Sequence, residues 1–221
     1  MKHILFDLDG TITDPKVGIT KSIQYALSKF EIQIDDSDKL KSLIGPHIYN
    51  TFIEEYGFSE EKSELAVSYF REYYSEKGLF ESHPYPDIEK TLEGLKNQNF
   101  RLAIATSKPT ELAEKILKHF NLDRYLSHIV GSNLDNTRIN KDEIITECIK
   151  LFGDDSKNHY IMIGDRKHDI LGAKKVGIGS IGVLYGYGSK EELEAAGADK
   201  IIDKHEELLD IENNNFSSFC L

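Results

Sequence analysis

The 221-residue sequence predicts an α/β fold: a doubly wound, Rossmann-like parallel sheet with an all-helical cap inserted into it. Three observations carry this expectation. Six short apolar runs recur along the chain without polar alternation, as strands buried on both faces do. Segments with helical apolar spacing separate the later runs, which is the rhythm of a parallel sheet covered on both sides. The third observation is a break in that rhythm, because from Pro15 to Ser82 the pattern reads as helix after helix.

Taken in order, "HILF" (3–6) is the first strand. Pro15 marks the way out into "ITKSIQYALSKF", "DDSDKLKSLIG", "HIYNTFIEEYG" and "SEEKSELAVSYFREYYSEKG", all with helical spacing. The segment "SHPYPD" (82–87) is the return linker, since residues before its prolines avoid the helical region. Residues 15–82 are therefore expected to form the cap, and 1–14 with 83–221 the core. The remaining strands are "RLAIAT" (101–106), "HIVG" (128–131), "YIMIG" (160–164), "SIGVL" (180–184) and "KIID" (200–203). Between them lie the helical segments "TELAEKILKHF", "KDEIITECIKLF", "DILGAKKVG" and "SKEELEAAG". The polar, aperiodic tail "ENNNFSSFC" is expected to fray.

Composition narrows the function. Hydrophobic residues make up 39% and charged residues 29%, ordinary for a soluble globular chain. A net charge of −11 argues against a nucleic-acid backbone or an anionic membrane as partner, because no basic surplus exists to release counterions. An anionic ligand would need a metal ion or a few focused cations. Two cysteines, Cys148 and Cys220, lie far apart, and Asp7 interrupts the opening apolar run. A reduced, cytoplasmic setting is expected.

In an open α/β sheet, ligands bind beyond the carboxyl ends of the strands. After the first strand come Asp7, Asp9, Gly10 and Thr11. After "LAIA" come Thr106, Ser107 and Lys108, and "GSNLDNTRINK" supplies Arg138 and Lys141. After "YIMI" come Asp165 and Asp169. Carboxylates, hydroxyls and cations from four strands thus converge on one edge. Singly each has a bland reading: "DxD" is a common turn, the lysines are ordinary surface residues, and His168 is an exposed helix histidine. Jointly they fit a phosphate ester.

Asp7 and Asp9, two apart on an extended backbone, share a face while Leu8 points into the core. With Asp165 they make three crowded carboxylates, which repel unless a cation lies among them, and hard oxygen donors select Mg²⁺. A carboxylate can attack phosphorus, and a second one nearby can move the proton. The phosphoryl oxygens would find donors in the Thr106 hydroxyl, backbone N–H groups near Ser107 and Gly10, and the Lys141 ammonium.

With these clusters in place, the sequence resembles the haloacid dehalogenase-like phosphatases, specifically the phosphoglycolate-phosphatase-like group. "DLDGT" (7–11), "ATSKP" (105–109) and "GDRKHDILGA" (164–173) match that family's first, second and fourth motifs, and "GVLYGYGS" (182–189) is a further family-like segment. The third motif, a lysine, best matches Lys141, with Arg138 and Lys108 as the other cations able to take its place. The resemblance implies Asp7 as nucleophile and Mg²⁺ ligand. It implies Asp9 as general acid/base with its carbonyl on the metal, and Asp165 as a further ligand. Thr106 and Lys141 would hold the phosphoryl group, with Gly10, Thr11 and Ser107 around it. Asp169, one helical turn beyond Asp165, would sit behind the ligands and orient Lys141. Gly45, Pro46 and His47 stand where such caps present a loop to substrate. Asp87 departs from the glycine common after "YP" in relatives, which puts the hinge in question.

The leading expectation is a Mg²⁺-dependent phosphatase acting on a small soluble phosphomonoester, phosphoglycolate by family default. A 5'-nucleotidase, or a sugar-phosphate mutase of the same fold, is the alternative. A receiver-like phosphoacceptor domain is more distant, because its acceptor acid ends a middle strand and it has no cap.

Overall fold

The structure, a computed structural model, describes residues 2–135 and 137–211. The tail "ENNNFSSFC", with Cys220, lies outside the described residues. Six strands form one parallel sheet: β1 (His3–Phe6), β4 (Arg101–Pro109), β5 (His128–Ser132), β6 (Tyr160–Gly164), β7 (Gly179–Val183) and β8 (Lys200–Ile202). Their spatial order is β5-β4-β1-β6-β7-β8, so the first strand lies in the middle. Every strand end agrees with the apolar runs to within three residues. The largest difference is β4, which runs on through Ser107 and Lys108 to Pro109.

Both faces of the sheet are buried, which is why the strands are not alternating. Ile4 and Phe6 of β1 pack into an apolar cluster with Leu92 and Leu95 of α4 (Ile88–Asn97) and Ile116 of α5 (Thr110–His119). Leu5, between them, packs on the other face with Ile144, Ile145 and Cys148 of α6 (Lys141–Phe152) and Ala173 of α7 (Lys167–Val176). A last short helix, α8 (Lys190–Ala196), opens on Ser189, whose hydroxyl accepts from the Glu192 N–H at 3.1 Å.

Between β1 and α4 the chain builds α1 (Lys16–Ser28), a 3₁₀ stretch at Ser37–Leu43, α2 (Ile48–Tyr56) and α3 (Glu60–Glu76). The segment "DDSDKLKSLIG" is thus a 3₁₀ turn and not an α-helix. Gly57 in the left-handed region stops α2, and the Ser59 hydroxyl caps α3. Two strands too short to show a period hold the exit and return together. These are β2 (Thr13–Asp14) and β3 (His83–Pro84), antiparallel, with Asp14 opposite His83. Asp87, just beyond, has φ 61. That left-handed conformation is what glycine adopts freely, so the unusual residue follows the hinge geometry instead of altering it.

Candidate active site

The site begins where β1 ends. The Asp7 N–H donates to the Ile163 carbonyl at 2.8 Å, so the acid is still held against β6. The chain then folds back on itself. The N–H groups of Ile12 and Thr13 both donate to the Leu8 carbonyl at 2.9 Å, and the Gly10 N–H donates to the Thr13 carbonyl at 2.7 Å. Gly10 makes this possible with φ +86, and a Cβ there would fall 2.2 Å from Asp165 Oδ2. Leu8 is buried in the core, and Asp7 and Asp9 both face a cavity on the other side.

Asp165 follows β6 and is wrapped by the 182–189 segment. The Tyr187 N–H donates to its Oδ2 at 2.8 Å, and the Thr11 hydroxyl reaches Oδ1 at 3.5 Å. The Tyr185 hydroxyl donates to the Thr11 carbonyl at 3.0 Å, tying that segment to the first loop. Asp169 lies in the first turn of α7, where its Oδ2 accepts from the Arg166 N–H at 3.1 Å.

Lys141, the first residue of α6, reaches back under the sheet edge. Its Nζ donates to the Ala105 carbonyl at 2.9 Å and lies 3.0 Å from Asp7 Oδ1 and 2.7 Å from Asp169 Oδ1. Neither of those oxygens, though ion-paired, has a well-aligned hydrogen-bond donor. Lys108, at the end of β4, pairs with Asp9 Oδ2, and its Nζ also donates to the Tyr74 hydroxyl of α3 at 2.7 Å. Asp9 Oδ1 is buried without a partner.

The charges do not balance. Asp7, Asp9, Asp165 and Asp169 are buried, and so are Lys108 and Lys141; the further buried cation, Arg166, is paired with Glu192, so the cluster keeps two negative charges in excess. Burial, and then the neighbouring Asp169 and Asp7, hold the Asp165 carboxyl well above the ordinary carboxylate range. Burial also raises Asp169, to about 6, against the opposing pull of Lys141. Burial alone would depress both lysines, but their carboxylate partners override it and raise them. One carboxylate oxygen from each of Asp7, Asp165 and Asp169 lies within 4.8 Å of the other two. Three hard oxygens this close, on acids of which Asp7 and Asp169 each keep an oxygen without an aligned donor, fit a divalent oxygen-seeking cation and the missing charge.

The cavity above the carboxylates measures about 70 Å³ and lies between the sheet edge and the helical insertion. Asp7, Asp9, Thr106, Ser107 and Lys108 form its floor. Gly45, Pro46, His47, Phe70, Arg71 and Tyr74 are among the insertion's residues closing it from above. Burial, and secondarily the Arg71 charge, lower the His47 imidazole to about 4, so it is neutral near pH 7.

The sequence model described as haloacid dehalogenase-like hydrolase matches residues 4–183. The chain belongs to that family. It is 44% identical over 193 residues to a protein of Pseudomonas aeruginosa named 5'-nucleotidase, covering 87% of each chain. It is 27% identical over 219 residues to a Vibrio parahaemolyticus protein named phosphoglycolate phosphatase, covering 96% of each. Its structure superimposes on the crystal structure of a predicted phosphatase from Clostridium acetobutylicum with a TM-score of 0.94 and 44% identity, over 96% of this chain and 98% of the other.

Within this haloacid dehalogenase-like hydrolase, the residues read from the four motifs meet at one edge. Asp7, Asp9, Thr106 and Ser107 share the cavity floor, and Asp165 stands beside Asp7. The three cations offered for the third motif are placed differently: Lys141 pairs with Asp7, Lys108 pairs with Asp9, and Arg138 donates to the Gly131 carbonyl at 2.9 Å. Two placements differ from expectation. The Asp169 side chain joins Asp7 and Asp165 directly, whereas the Asp9 side chain is taken up by Lys108. His168 is half-buried, lining a second cleft of about 200 Å³ beside the first, together with Asn50 and Glu54. The roles of Tyr74 and Arg71 were not signalled, because on α3 they read as an ordinary helix stripe. Lys108 did carry a signal: two residues after Thr106 on a strand, it shares that residue's face.

Proposed function

We propose that this haloacid dehalogenase-like hydrolase is a phosphatase that cleaves small phosphomonoesters through a phosphorylated Asp7. The observation that carries the reading is that Asp7 and Asp9 face one cavity, with Lys141 on the first and Lys108 on the second. An Asp7 carboxylate oxygen attacks phosphorus, and the ester P–O bond breaks as Asp9 gives its proton to the departing oxygen. Asp9 then takes a proton from water. The water oxygen attacks phosphorus, the acyl phosphate bond breaks, and inorganic phosphate leaves with Asp7 restored. Thr106, the N–H groups near Ser107 and Gly10, and Lys141 hold the phosphoryl oxygens, with Thr11 bracing Asp165.

Asp7, Asp165 and Asp169, with the Asp9 carbonyl, would hold Mg²⁺, which when bound neutralises phosphoryl charge. Residues 15–82 act as the cap and 1–14 with 83–221 as the catalytic core, and Gly45, Pro46 and His47 present the cap to the leaving group. Small leaving groups, phosphoglycolate-like, are the leading reading, with the insertion's residues lying over Asp7 and Asp9. A second reading, a nucleoside 5'-monophosphate, draws support from the 44% identity to the protein named 5'-nucleotidase. The adjoining cleft shares Pro46, His47 and Ser107 with the first and could take a larger group. A cytoplasmic setting suits both readings; among the described residues, no helix is long and apolar enough to cross a membrane.

The test is phosphate release from a panel of phosphoglycolate, sugar phosphates and nucleoside monophosphates with Mg²⁺. Turnover of at least one, abolished in Asp7→Asn, is the expected result. Full activity in Asp7→Asn would overturn the reading, and isomerised product without phosphate would replace it with a mutase.

A further inference from the structure

Arg166 follows Asp165 and precedes α7, where nothing in the motif explains an arginine. A cation at a helix N-terminus opposes the helix dipole, so its charge should be used elsewhere. It is. The guanidinium Nη1 donates to the Ser42 carbonyl at 3.0 Å and to the Ile44 carbonyl. Its Nε donates to Glu192 Oε1 at 2.9 Å, and that same oxygen accepts from the Lys167 N–H at 2.8 Å. The side chain is buried, with its fork divided between α8 and the insertion.

The contact lies against the segment that closes the cavity. Ser42 and Ile44 immediately precede Gly45, Pro46 and His47, and Leu43 between them lines the cavity with Asp7. Gly45 has φ +112, and a Cβ there would lie 2.8 Å from Arg166 Cγ, so the loop rests directly on the arginine stem. Two carbonyls and one carboxylate in different directions need a donor with a planar fork. A lysine supplies the charge but not the geometry. Arg166 itself is fixed at its backbone, where its N–H donates to Asp169.

We propose that Arg166 is a positioning residue that seats the Gly45–Pro46–His47 loop over Asp7, with Glu192 orienting the guanidinium. Leaving-group selection by the loop is thereby referenced to the same strand end that carries Asp165. The kinetic consequence rests on the phosphatase reading, but the loop anchoring does not.

Amide hydrogen exchange on the full chain tests the anchoring, comparing the parent with Arg166→Ala, Arg166→Lys and Glu192→Gln. The amides of residues 43–45, 47 and 48 should exchange at least tenfold faster in Arg166→Ala, to an intermediate degree in Arg166→Lys, and less so in Glu192→Gln. Amides of β1, β4 and β6 should keep parental rates. Kinetically, the ratio of kcat/KM for the best ester of the panel to that for p-nitrophenyl phosphate should fall at least tenfold in Arg166→Ala. Parental loop exchange in Arg166→Ala, or acceleration spread equally through the sheet, would overturn the proposal. If Arg166→Ala does not fold, parental loop exchange in both remaining variants overturns it equally. A parent that turns over no phosphomonoester defeats the phosphatase reading and leaves the exchange comparison to decide the anchoring.

Discussion

The Tyr74 hydroxyl, on a helix of the insertion, accepts a hydrogen bond from the Lys108 ammonium at 2.7 Å while that ammonium pairs with Asp9. The ion pair is almost wholly buried, so its geometry matters more than its Coulomb energy. Removing one partner strands the other. Lys108→Met should cost about 3–5 kcal/mol of stability, because Asp9 is then a buried carboxylate without its cation. The double variant Lys108→Met/Asp9→Asn should recover much of that loss. Urea melts of the four-member cycle measure the coupling, and simple additivity would show the pair to be energetically idle.

Crowding at Asp165 makes a prediction with a sign. Its carboxyl is held above the ordinary range by burial and by Asp169 and Asp7. A carboxylate whose pKa is raised on folding lowers stability once pH exceeds the unfolded value, and the penalty fades as pH falls. In EDTA, Asp165→Asn should therefore melt above the parent at pH 7, with the advantage shrinking toward pH 4. An advantage that grows on acidification would contradict the assignment.

Mg²⁺ should reverse that ranking. A cation bound to the folded state alone stabilises by about 2.7 kcal/mol at a hundredfold excess over its Kd. The parent's Tm should rise with Mg²⁺, and Asp165→Asn should lose most of the rise. The readout is thermal, so it does not depend on finding a substrate.

Asp7→Asn should lower phosphate release by about 10³-fold or more, since an amide does not form the acyl phosphate. Its Tm should stay within a few degrees of the parent's, because the amide keeps the shape of the acid and Lys141 keeps Asp169 as its partner. Loss of activity with a collapsed Tm would mean that folding, not chemistry, had failed.

His47 predicts an acid-side loss of stability. Its pKa is lowered on folding to about 4, chiefly by burial. Between that value and the ordinary 6.5, the unfolded chain binds more protons than the folded one. Stability should then fall as pH drops from about 6.5 to 4, with His47 contributing on the order of 2–3 kcal/mol. Comparing pH-dependent melts of the parent and His47→Gln isolates the contribution; equal slopes across that range would refute it.

Much of the sheet, and the acids at its edge, could be read directly from the chain. Asp7, Asp165 and Lys141 were legible because each adjoins an apolar run or a helix start, and the carboxyl edge of a parallel sheet is where such ends gather. The Tyr74–Lys108 bond and the Arg166 contact with Ser42 and Ile44 were not legible. Each joins the insertion to the core, and a periodic pattern tells which face of an element is buried without telling what lies against it. The β2–β3 pair escaped for a simpler reason, since two residues cannot display a period. Asp169 fell between these cases: its turn on α7 was plain, but its closeness to Asp7 depended on how β6 and α7 meet.

The central position of β1 also governs how the protein can be made. The residues that flank it, Arg101 and Tyr160, emerge from the ribosome long after His3. The nucleophile strand must therefore wait, unpaired on both edges until β4 has been synthesised and on one edge until β6 has. Parallel pairings between such distant segments close slowly, and open strand edges invite association with other chains in the interval. A chain cut before Tyr160 would carry Asp7 and Asp9 yet have no second neighbour for the strand that bears them. The reactive acids are therefore made first, and the site around them is completed only once β6 has been synthesised.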